Sequence, residues 1–259
     1  MNAGFLTAYT LWQREIVRFY RQPNRVIGAV GSPLLFWLLL GSGMGRSFTG
    51  SAGEAYLVYA FPGTLVLTLL FTAIFSTISI IEDRREGFLQ SVLVAPVARP
   101  MIVLGKVLGG ATLAFLQAAL LLVLAPLAGI PVELSTLPAL CGVLFGLGLG
   151  LTSLGFVIAW RMQSTQGFHA VMNLFLLPLW LLSGALFPPA GASPWLQVVI
   201  RANPLTYGLA SVRRLLVAGD PGAGIPGLFA GLLVTTLFAA AAFAAASIAA
   251  RGHTRGDLL

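Results

Sequence analysis

Long apolar runs, separated by short polar or charged stretches, set the pattern of this chain. A helix needs about 20 mostly apolar residues to cross a bilayer. Six stretches meet this requirement, at residues 26–44, 56–81, 100–127, 137–160, 168–187 and 225–250. The pattern therefore predicts an all-α integral membrane protein with six transmembrane helices, organised as a single domain over residues 1–259.

Residues 188–224, between the fifth and sixth runs, follow a different pattern. Five prolines break the segment, and it also contains large apolar side chains such as Trp195, Ile200 and Tyr207. Non-helical backbone at membrane depth is tolerated only where protein surrounds it. We expect a re-entrant or interfacial helical hairpin here, and a folded extracellular loop is the alternative.

Residues 1–25 form an amphipathic pattern. At 100° per residue, Phe5, Tyr9, Trp12, Ile16 and Phe19 fall on one side of a helix and the arginines on the other. Such a helix lies in the membrane interface, with aromatic rings toward the acyl chains and arginines toward the headgroups. The alternative is a solvated basic helix that packs on the protein.

Composition supports the membrane assignment, and charge gives an orientation. Hydrophobic residues make up 58% of the chain and charged residues only 9%, against roughly 25% charged in soluble domains. The net charge is +7, but the basic residues lie at the ends of apolar runs, which argues against nucleic acid. Eleven of the 15 Lys and Arg fall on the side of the N-terminus, so both termini are expected in the cytoplasm.

The sequence offers little for chemistry inside the membrane. It lacks a His-Glu-x-x-His zinc motif and a phosphate-binding loop, and Gly105-Lys106 is followed by Val107. Seven acids map to loops, ends or the tail, which weakens a proton-coupled carrier; they are Glu54, Glu82, Asp83, Glu86, Glu133, Asp220 and Asp257. We expect no enzyme and no cofactor in this chain, and any ATP that drives it must bind a separate subunit.

The loop at residues 82–100 is rich in charge between two apolar runs. Residues 86–94 are expected to form a short amphipathic helix, with Phe88 and Leu89 on its apolar side, that ends at Ala95-Pro96. A helix of this kind is suited to a groove on a partner protein. The alternative is an ordinary loop helix that packs against its own spans.

Three segments carry a resemblance to a known family. They are Glu86-Gly-Phe-Leu-Gln-Ser-Val-Leu-Val-Ala-Pro-Val-Ala-Arg99 followed by Gly105-Lys106, Ser183-Gly-Ala-Leu-Phe-Pro188, and Asn203-Pro-Leu-Thr-Tyr-Gly208 with Arg213-Arg214. In this order they resemble the permease subunits of the ABC type-2 transporter family. The short loops are most similar to its drug and nodulation-factor exporters.

The resemblance implies a bacterial plasma-membrane exporter built from two permeases and two ATPase subunits that hold ATP and Mg. A homodimer of this chain is expected, and pairing with a related permease is the alternative. The loop at 82–100 would be the coupling helix in the ATPase groove, with the N-terminal helix beside it. The implied ATPase-coupling residues are Glu82, Asp83, Arg84, Arg85, Glu86, Phe88, Leu89 and Arg99. The implied interfacial residues of the N-terminal helix are Trp12, Arg14, Arg18 and Arg21.

Alternating access is the expected mechanism, and an amphipathic substrate (a drug, a lipid, a glycolipid or a polysaccharide) is the expected cargo. Aromatic side chains of the first, second and fifth spans are candidates for the substrate path, namely Phe36, Trp37, Phe71, Phe75, Phe175 and Trp180. Membrane lipid would surround the spans. Two other functions remain open at this point, an ion-coupled carrier or channel and a non-transporting assembly factor.

Overall fold

A computed structural model describes residues 3–44, 56–217 and 224–252, and every regular element in those ranges is helical. Three of the seven acids named above lie outside the described residues, namely Glu54, Asp220 and Asp257. The α-helices are α1 Ala3–Tyr20, α2 Pro23–Met44, α3 Tyr56–Ser76, α4 Ile78–Arg85, α5 Phe88–Val94, α6 Arg99–Leu122, α7 Leu137–Arg161, α8 Thr165–Leu181, α9 Pro194–Ala202, α10 Pro204–Leu216 and α11 Leu228–Ala249.

Four helical segments of the described chain are long and apolar enough to cross a membrane, at Tyr56–Arg85, Arg99–Leu127, Leu137–Arg161 and Leu228–Ala249. They coincide with the second, third, fourth and sixth predicted spans. The first and fifth predicted spans are also helical, as α2 and α8. The apolar part of α2 covers only Gly31–Gly43, and α8 has 17 residues.

The second span lies at the centre of the molecule. Helix α3 packs against α2, α6, α7, α8 and α10, and most of its side chains are buried. A turn at Thr77 separates α3 from α4 without ending the segment, because the Thr77 hydroxyl donates to the carbonyl of Ile74 at 2.6 Å. Because protein surrounds α3 on all sides and buries most of its side chains, this helix has no polar face.

Two glycines place helix ends where the apolar pattern did not. Gly87 has φ +75°, a conformation that side chains with a Cβ disfavour, so the loop helix begins at Phe88 rather than at Glu86. Gly184 has φ +82° and lies in the turn after α8. The fifth helix therefore ends at Leu181 rather than at residue 187, and Ser183–Pro188 is a turn.

The proline-rich segment forms two short helices, α9 and α10, joined at Asn203. The Asn203 side chain accepts a hydrogen bond from the backbone N–H of Leu205 at 3.0 Å and donates to the carbonyl of Leu179 at 2.6 Å. It therefore caps α10 and attaches this helix to the end of α8. Helices α9 and α10 make up most of the described part of this segment, and its re-entrant or interfacial position stays a prediction.

The charged groups divide the bundle into two ends. Ion pairs and hydrogen bonds bring together α1, the end of α4, the starts of α6 and α8, and the ends of α7 and α11; we call this the charged end. The opposite end holds the start of α3, the turn after α8, and α10.

Candidate functional site

Six charged side chains from three helices form one cluster at the charged end. The ion cluster consists of Arg14, Glu15, Arg18, Glu82, Asp83 and Lys106. Asp83 is fully buried at its centre, where Arg14 donates two hydrogen bonds to its carboxylate at 2.8 Å and Arg18 donates a third at 2.8 Å. Lys106 donates to both Asp83 and Glu15.

The ion cluster balances its charges internally, with three basic and three acidic groups. Buried ions are tolerated when they are paired and hydrogen-bonded. The hydrogen bond with Asp83 raises the pKa of Arg14 above its ordinary value despite partial burial. The cluster is therefore a structural joint that attaches α1 to α4 and α6.

Close backbone contact between α1 and α6 positions the cluster. A Cβ at Gly105 would lie 2.6 Å from the backbone oxygen of Ala8, and one at Gly109 would lie 2.7 Å from the Cβ of Glu15. The indole N–H of Trp12 donates to the Thr112 hydroxyl at 3.1 Å. Two glycines one turn apart thus make room for α1, as small residues do between membrane helices.

Helix α5 lies beside α1. The guanidinium of Arg14 stands 3.7 Å from the ring centroid of Phe88, a cation–π contact, and Leu89 is buried. The opposite side of the helix is exposed, and Val94 at its end is 86% exposed. The exposed face consists of Gln90, Ser91, Val94, Ala95 and Pro96, with Glu86 next to it.

Three of the implied coupling residues bind the ends of other helices. Arg84 donates to the carbonyls of Trp160 at 2.8 Å and Met162 at 3.0 Å, and Arg85 donates to Gln163 at 3.1 Å. Arg99 donates to the carbonyls of residues 250 and 251 at 2.9 and 2.8 Å. These carbonyls lie in or just after the last turn of α7 or α11. Carbonyl oxygens at this end of a helix lack partners within the helix and carry partial negative charge.

The structure corrects the expected direction of two arginines on α1. Arg14 and Arg18 were expected to face headgroups, but they point into the protein and pair with Asp83 and Glu82. The face of α1 that packs on α6 contains Ala8, Leu11 and Glu15, and Trp12 is the member of the aromatic stripe that bonds to α6. Arg21, Phe5 and Tyr9 are exposed, so contact of this helix with lipid remains a prediction.

Asp83 also lies in a different environment from the one expected. It was mapped to a loop, whereas it is the sixth residue of α4 and is fully buried. Among the residues assigned to ATPase coupling, Glu82, Asp83, Arg84, Arg85, Phe88, Leu89 and Arg99 all make internal contacts. Glu86, 61% exposed, reaches only one member of the cluster, Arg18, at 3.6 Å.

A cavity of about 400 Å³ lies next to the ion cluster, between α1, α2, α3 and α8. Two of the six residues expected to line a substrate path, Phe71 and Phe75, border it, and their rings stack at 5.5 Å. The other lining residues are Phe19, Gly28, Ser32, Pro33, Thr72, Ser76, Ile78 and His169. This volume is in the range of small-molecule binding sites.

The remaining candidates for the substrate path do not border this cavity. Trp37 and Trp180 are buried, and their indole N–H groups donate to the carbonyls of Leu57 at 2.9 Å and Gly63 at 2.8 Å. The ring of Phe36 packs edge-on against Trp180 at 5.8 Å. Phe175 is 63% exposed. Within one copy of this chain, therefore, the six aromatic side chains do not border one cavity, and a substrate path between two copies stays a prediction.

An arginine is buried at the opposite end. Arg213 donates to the Tyr59 hydroxyl at 3.5 Å and to the carbonyls of Tyr59 and Gly184 at 3.4 and 3.3 Å. Its guanidinium also stacks on the Tyr59 ring at 4.2 Å. No carboxylate of a described residue lies within ion-pair distance of Arg213, so dipoles and the aromatic face hold this cation.

Sequence reasoning missed Glu15, Lys106 and Arg213 as buried polar groups. The spacing of Arg14, Glu15 and Arg18 could have signalled a mixed-charge face on α1, because a carboxylate on a basic helix needs a cation. Lys106 is the only lysine of the chain and stands within an apolar run, where an ionisable residue indicates a partner. The partner itself is more than 20 residues away in sequence.

Comparison with known proteins agrees with the motifs. The sequence profile of the family described as "ABC-2 type transporter" matches residues 7–217. A putative transport permease ycf38 from Cyanophora paradoxa is 29% identical over 211 residues, which cover 80% of this chain and 73% of that protein. Nodulation protein J from Rhizobium leguminosarum bv. trifolii is 28% identical over 224 residues, 85% of each chain.

A third relative is the daunorubicin resistance ABC transporter permease protein DrrB1 from Streptomyces coeruleorubidus. It is 25% identical over 213 residues, which cover 80% of this chain and 73% of the relative. The family match covers most of the chain, and four apolar helices make it a multi-pass membrane protein. This chain therefore belongs to the ABC-2 type transporter family, whose permeases are the membrane components of transporters.

Proposed function

We propose that this chain is the transmembrane subunit of an ATP-driven exporter that moves an amphipathic substrate out of the cytoplasm. The observation that carries the proposal is α5, a short helix fixed to the bundle by Phe88 and Leu89 whose other face is exposed. A separate ATPase subunit, with its own ATP and Mg, would bind that face. Two of the named relatives, a drug resistance ABC transporter permease and a putative transport permease, support a transport role.

Six crossings are supported because α2 and α8 each lie beside the second span over a length that can cross the membrane. Helix α8 is bonded at its start to Arg85, through Gln163, and near its end to Gly63, through Trp180. Residues 63 to 85 extend over about 33 Å at 1.5 Å per residue, close to the thickness of the hydrocarbon core. Helix α8 therefore extends as far across the membrane as this part of the second span, which is long enough to cross the hydrocarbon core.

Helix α2 covers a similar depth. Gly28 borders the same cavity as Ile78, and Trp37 bonds to Leu57. Helix α2 has 22 residues, which extend over about 33 Å at 1.5 Å per residue, enough to cross the hydrocarbon core. With these two helices the chain crosses six times and the charged end, which carries most of the described basic residues, faces the cytoplasm of a bacterial cell.

The attachment of α5 to the bundle supports a mechanism of alternating access. ATP binding closes the two ATPase subunits, and the motion reaches α5 and, through Arg14 and the ion cluster, helices α1, α4 and α6 together. Alternating access would then open the substrate path first to one side and then to the other. A second copy of this chain would complete the path, since α2 and α8 leave apolar side chains exposed.

Co-purification tests the docking of an ATPase subunit. The tagged permease is isolated in mild detergent, and the ATP-hydrolysing subunit that accompanies it is measured. We expect Val94→Arg, at the tip of α5, to abolish its recovery, because a buried unpaired charge at the centre of an interface weakens binding by 2 kcal/mol or more, about 30-fold.

The matched control is Leu134→Arg in the loop before α7. Leu134 is 86% exposed, as Val94 is, but lies at the other end of the bundle, so this variant should retain the ATPase. A permease that purifies as an oligomer without any ATPase, or retention of the ATPase by Val94→Arg, would contradict the proposal. The first result would favour an ion-driven carrier or channel.

A further inference from the structure

The cavity beside the ion cluster has one aromatic wall. The stacked rings of Phe71 and Phe75 form its centre, and the imidazole of His169 continues the row at 4.9 Å from Phe75. Phe19, at the end of α1, adds a further ring. Offset aromatic rings bind flat aromatic ligands by stacking in addition to the burial of apolar surface.

The cavity also offers hydroxyl groups. Ser32, Thr72 and Ser76 border the cavity. The Ser76 hydroxyl donates to the carbonyl of Ala73 at 2.7 Å and the Thr72 hydroxyl donates to the Gln117 side chain at 3.3 Å, so both oxygens keep lone pairs for a ligand donor.

Gln117, behind Thr72, adds a second polar observation. It is only 5% exposed, and its amide nitrogen lacks a hydrogen-bond partner among the described residues. A buried donor without a partner is costly. Gln117 does not itself border the cavity, so a polar atom bound at Thr72 would relieve this cost through a rearrangement of the Thr72–Gln117 pair.

Charge limits the ligand further. None of the described residues that border the cavity is Asp, Glu, Lys or Arg. The basic group among them is the imidazole of His169, whose ring packs on Phe75 at 4.9 Å, and the arginines and the lysine of the ion cluster pair with carboxylates. A phosphate, sulfate or carboxylate group would therefore lose its hydration without meeting a lysine or arginine among the described lining residues.

We propose that this cavity binds an uncharged, flat aromatic amphiphile that carries hydroxyl or carbonyl groups along one edge. The rings lie against Phe71 and Phe75, and the polar edge faces Thr72 and Ser76. As the identity of the transported substrate, this rests on the proposed export function. It favours drug-like aromatic compounds over lipid-linked glycans, whose phosphate groups the cavity does not accommodate.

Two probes that share a ring system test the charge requirement. Quinizarin is an uncharged dihydroxyanthraquinone, and anthraquinone sulfonate has the same rings with a fixed negative charge. Each is titrated into the purified permease in lipid nanodiscs, and binding is followed by quenching of tryptophan fluorescence. We expect quinizarin to bind at least about tenfold more tightly than the sulfonate.

Filling the cavity tests the location. Gly28 borders it, and a Cβ at this position would meet no heavy atom within 4 Å, so Gly28→Leu should occupy the space without displacing protein. Gly31, on the same helix, also has nothing within 4 Å but does not border the cavity. We expect Gly28→Leu to weaken quinizarin binding by about tenfold or more, and Gly31→Leu to leave it unchanged.

A second variant covers the case in which Gly28→Leu disturbs α2. Phe75→Leu keeps an apolar side chain but removes a stacking ring, and it should also weaken quinizarin binding, whereas Phe229→Ala, on the exposed face of α11, should not. Equal affinity for both probes, or unchanged binding in Gly28→Leu and Phe75→Leu, would overturn the proposal.

The binding test is independent of the export function, because it uses the permease alone. If quinizarin binds as expected but no ATPase co-purifies with the protein, the site stands and the export proposal fails. If the ATPase co-purifies but quinizarin does not discriminate the variants, the export proposal stands and the site fails.

Discussion

At the residue scale, the ion cluster depends on a balance between its charges. Lys106 and Glu15 pair with each other, and Arg14 and Arg18 pair with Asp83 and Glu82. Removal of one buried partner leaves an uncompensated charge, whereas removal of both members of a pair does not. The pairing can therefore be tested by replacing Lys106 and Glu15 first singly and then together.

We predict that Lys106→Met and Glu15→Met each destabilise the protein by about 3–5 kcal/mol, and that the double variant recovers a large part of that loss. The four remaining groups are two arginines and two carboxylates, which still balance. Unfolding by SDS in mixed micelles, followed by circular dichroism, measures the effect. Additive losses in the double variant would mean that Lys106 and Glu15 do not act as a pair.

The indole of Trp180 gives a second prediction at this scale. Trp180 is 1% exposed and donates to the carbonyl of Gly63, whereas Trp195 is 69% exposed. Trp180→Phe removes a buried hydrogen bond and some volume, so it should lower stability by about 1–3 kcal/mol. Trp195→Phe should change stability by less than about 0.5 kcal/mol. Equal effects in the same SDS titration would contradict the structural role of Trp180.

At the scale of elements, two glycines decide how closely α1 lies against α6. A methyl group at Gly105 would stand 2.6 Å from the backbone oxygen of Ala8, and backbone cannot move aside as a flexible side chain can. At Gly142, in α7, a methyl group would meet nothing within 4 Å. The same substitution at these two positions should therefore have opposite effects.

We predict that Gly105→Ala destabilises the protein by about 1–3 kcal/mol through overpacking. Gly142→Ala should stabilise it by about 0.4–1 kcal/mol, since alanine loses less backbone entropy in a helix. Hydrogen exchange of α1 provides the specific readout: it should become faster in Gly105→Ala and stay unchanged in Gly142→Ala. Unchanged exchange in both variants would show that α1 does not depend on this contact.

The apolar pattern predicted the existence and the approximate bounds of the long helices, because a helix buried in lipid or protein needs apolar side chains along its whole length. It did not predict the direction of α1. A helical wheel gives the angle between Arg14 and Phe5, but the partner of Arg14 is 69 residues away. The packing of Ala8 on Gly105 is a contact close to the backbone, and the periodicity of apolar residues in the sequence does not reveal it.

The candidate site was predicted in part for the same reason. Phe71 and Phe75 stand four residues apart on one face of α3, so their common position was accessible to sequence reasoning. Trp180 and Trp37 were assigned to the path for their chemistry, yet backbone carbonyls on α3 hold both of them inside the protein. The residue type indicates which groups a side chain can bind, whereas the fold determines which of those groups it contacts.

At the scale of the whole molecule, the two ends of the bundle predict which loops face each side of the membrane. Single cysteines can be labelled with an impermeant maleimide once Cys141, the only native cysteine, is replaced by alanine. We predict that Leu134→Cys reacts in intact spheroplasts and that Val94→Cys reacts only after lysis. The two side chains have the same exposure, 86%, and only α6 separates them.

The same labelling decides whether α8 crosses the membrane. Gln163 precedes α8 at the charged end, and Trp195 follows it at the opposite end. If α8 spans, Trp195→Cys is labelled in intact spheroplasts, Gln163→Cys only after lysis, and Gly252→Cys, after α11, again only after lysis. If α8 does not span, Trp195→Cys is protected until lysis and Gly252→Cys becomes accessible, because α11 then returns the chain to the outside. The second pattern would overturn both the six crossings and a cytoplasmic end for α11, while the first would place the exposed face of α5 on the side where ATP is available.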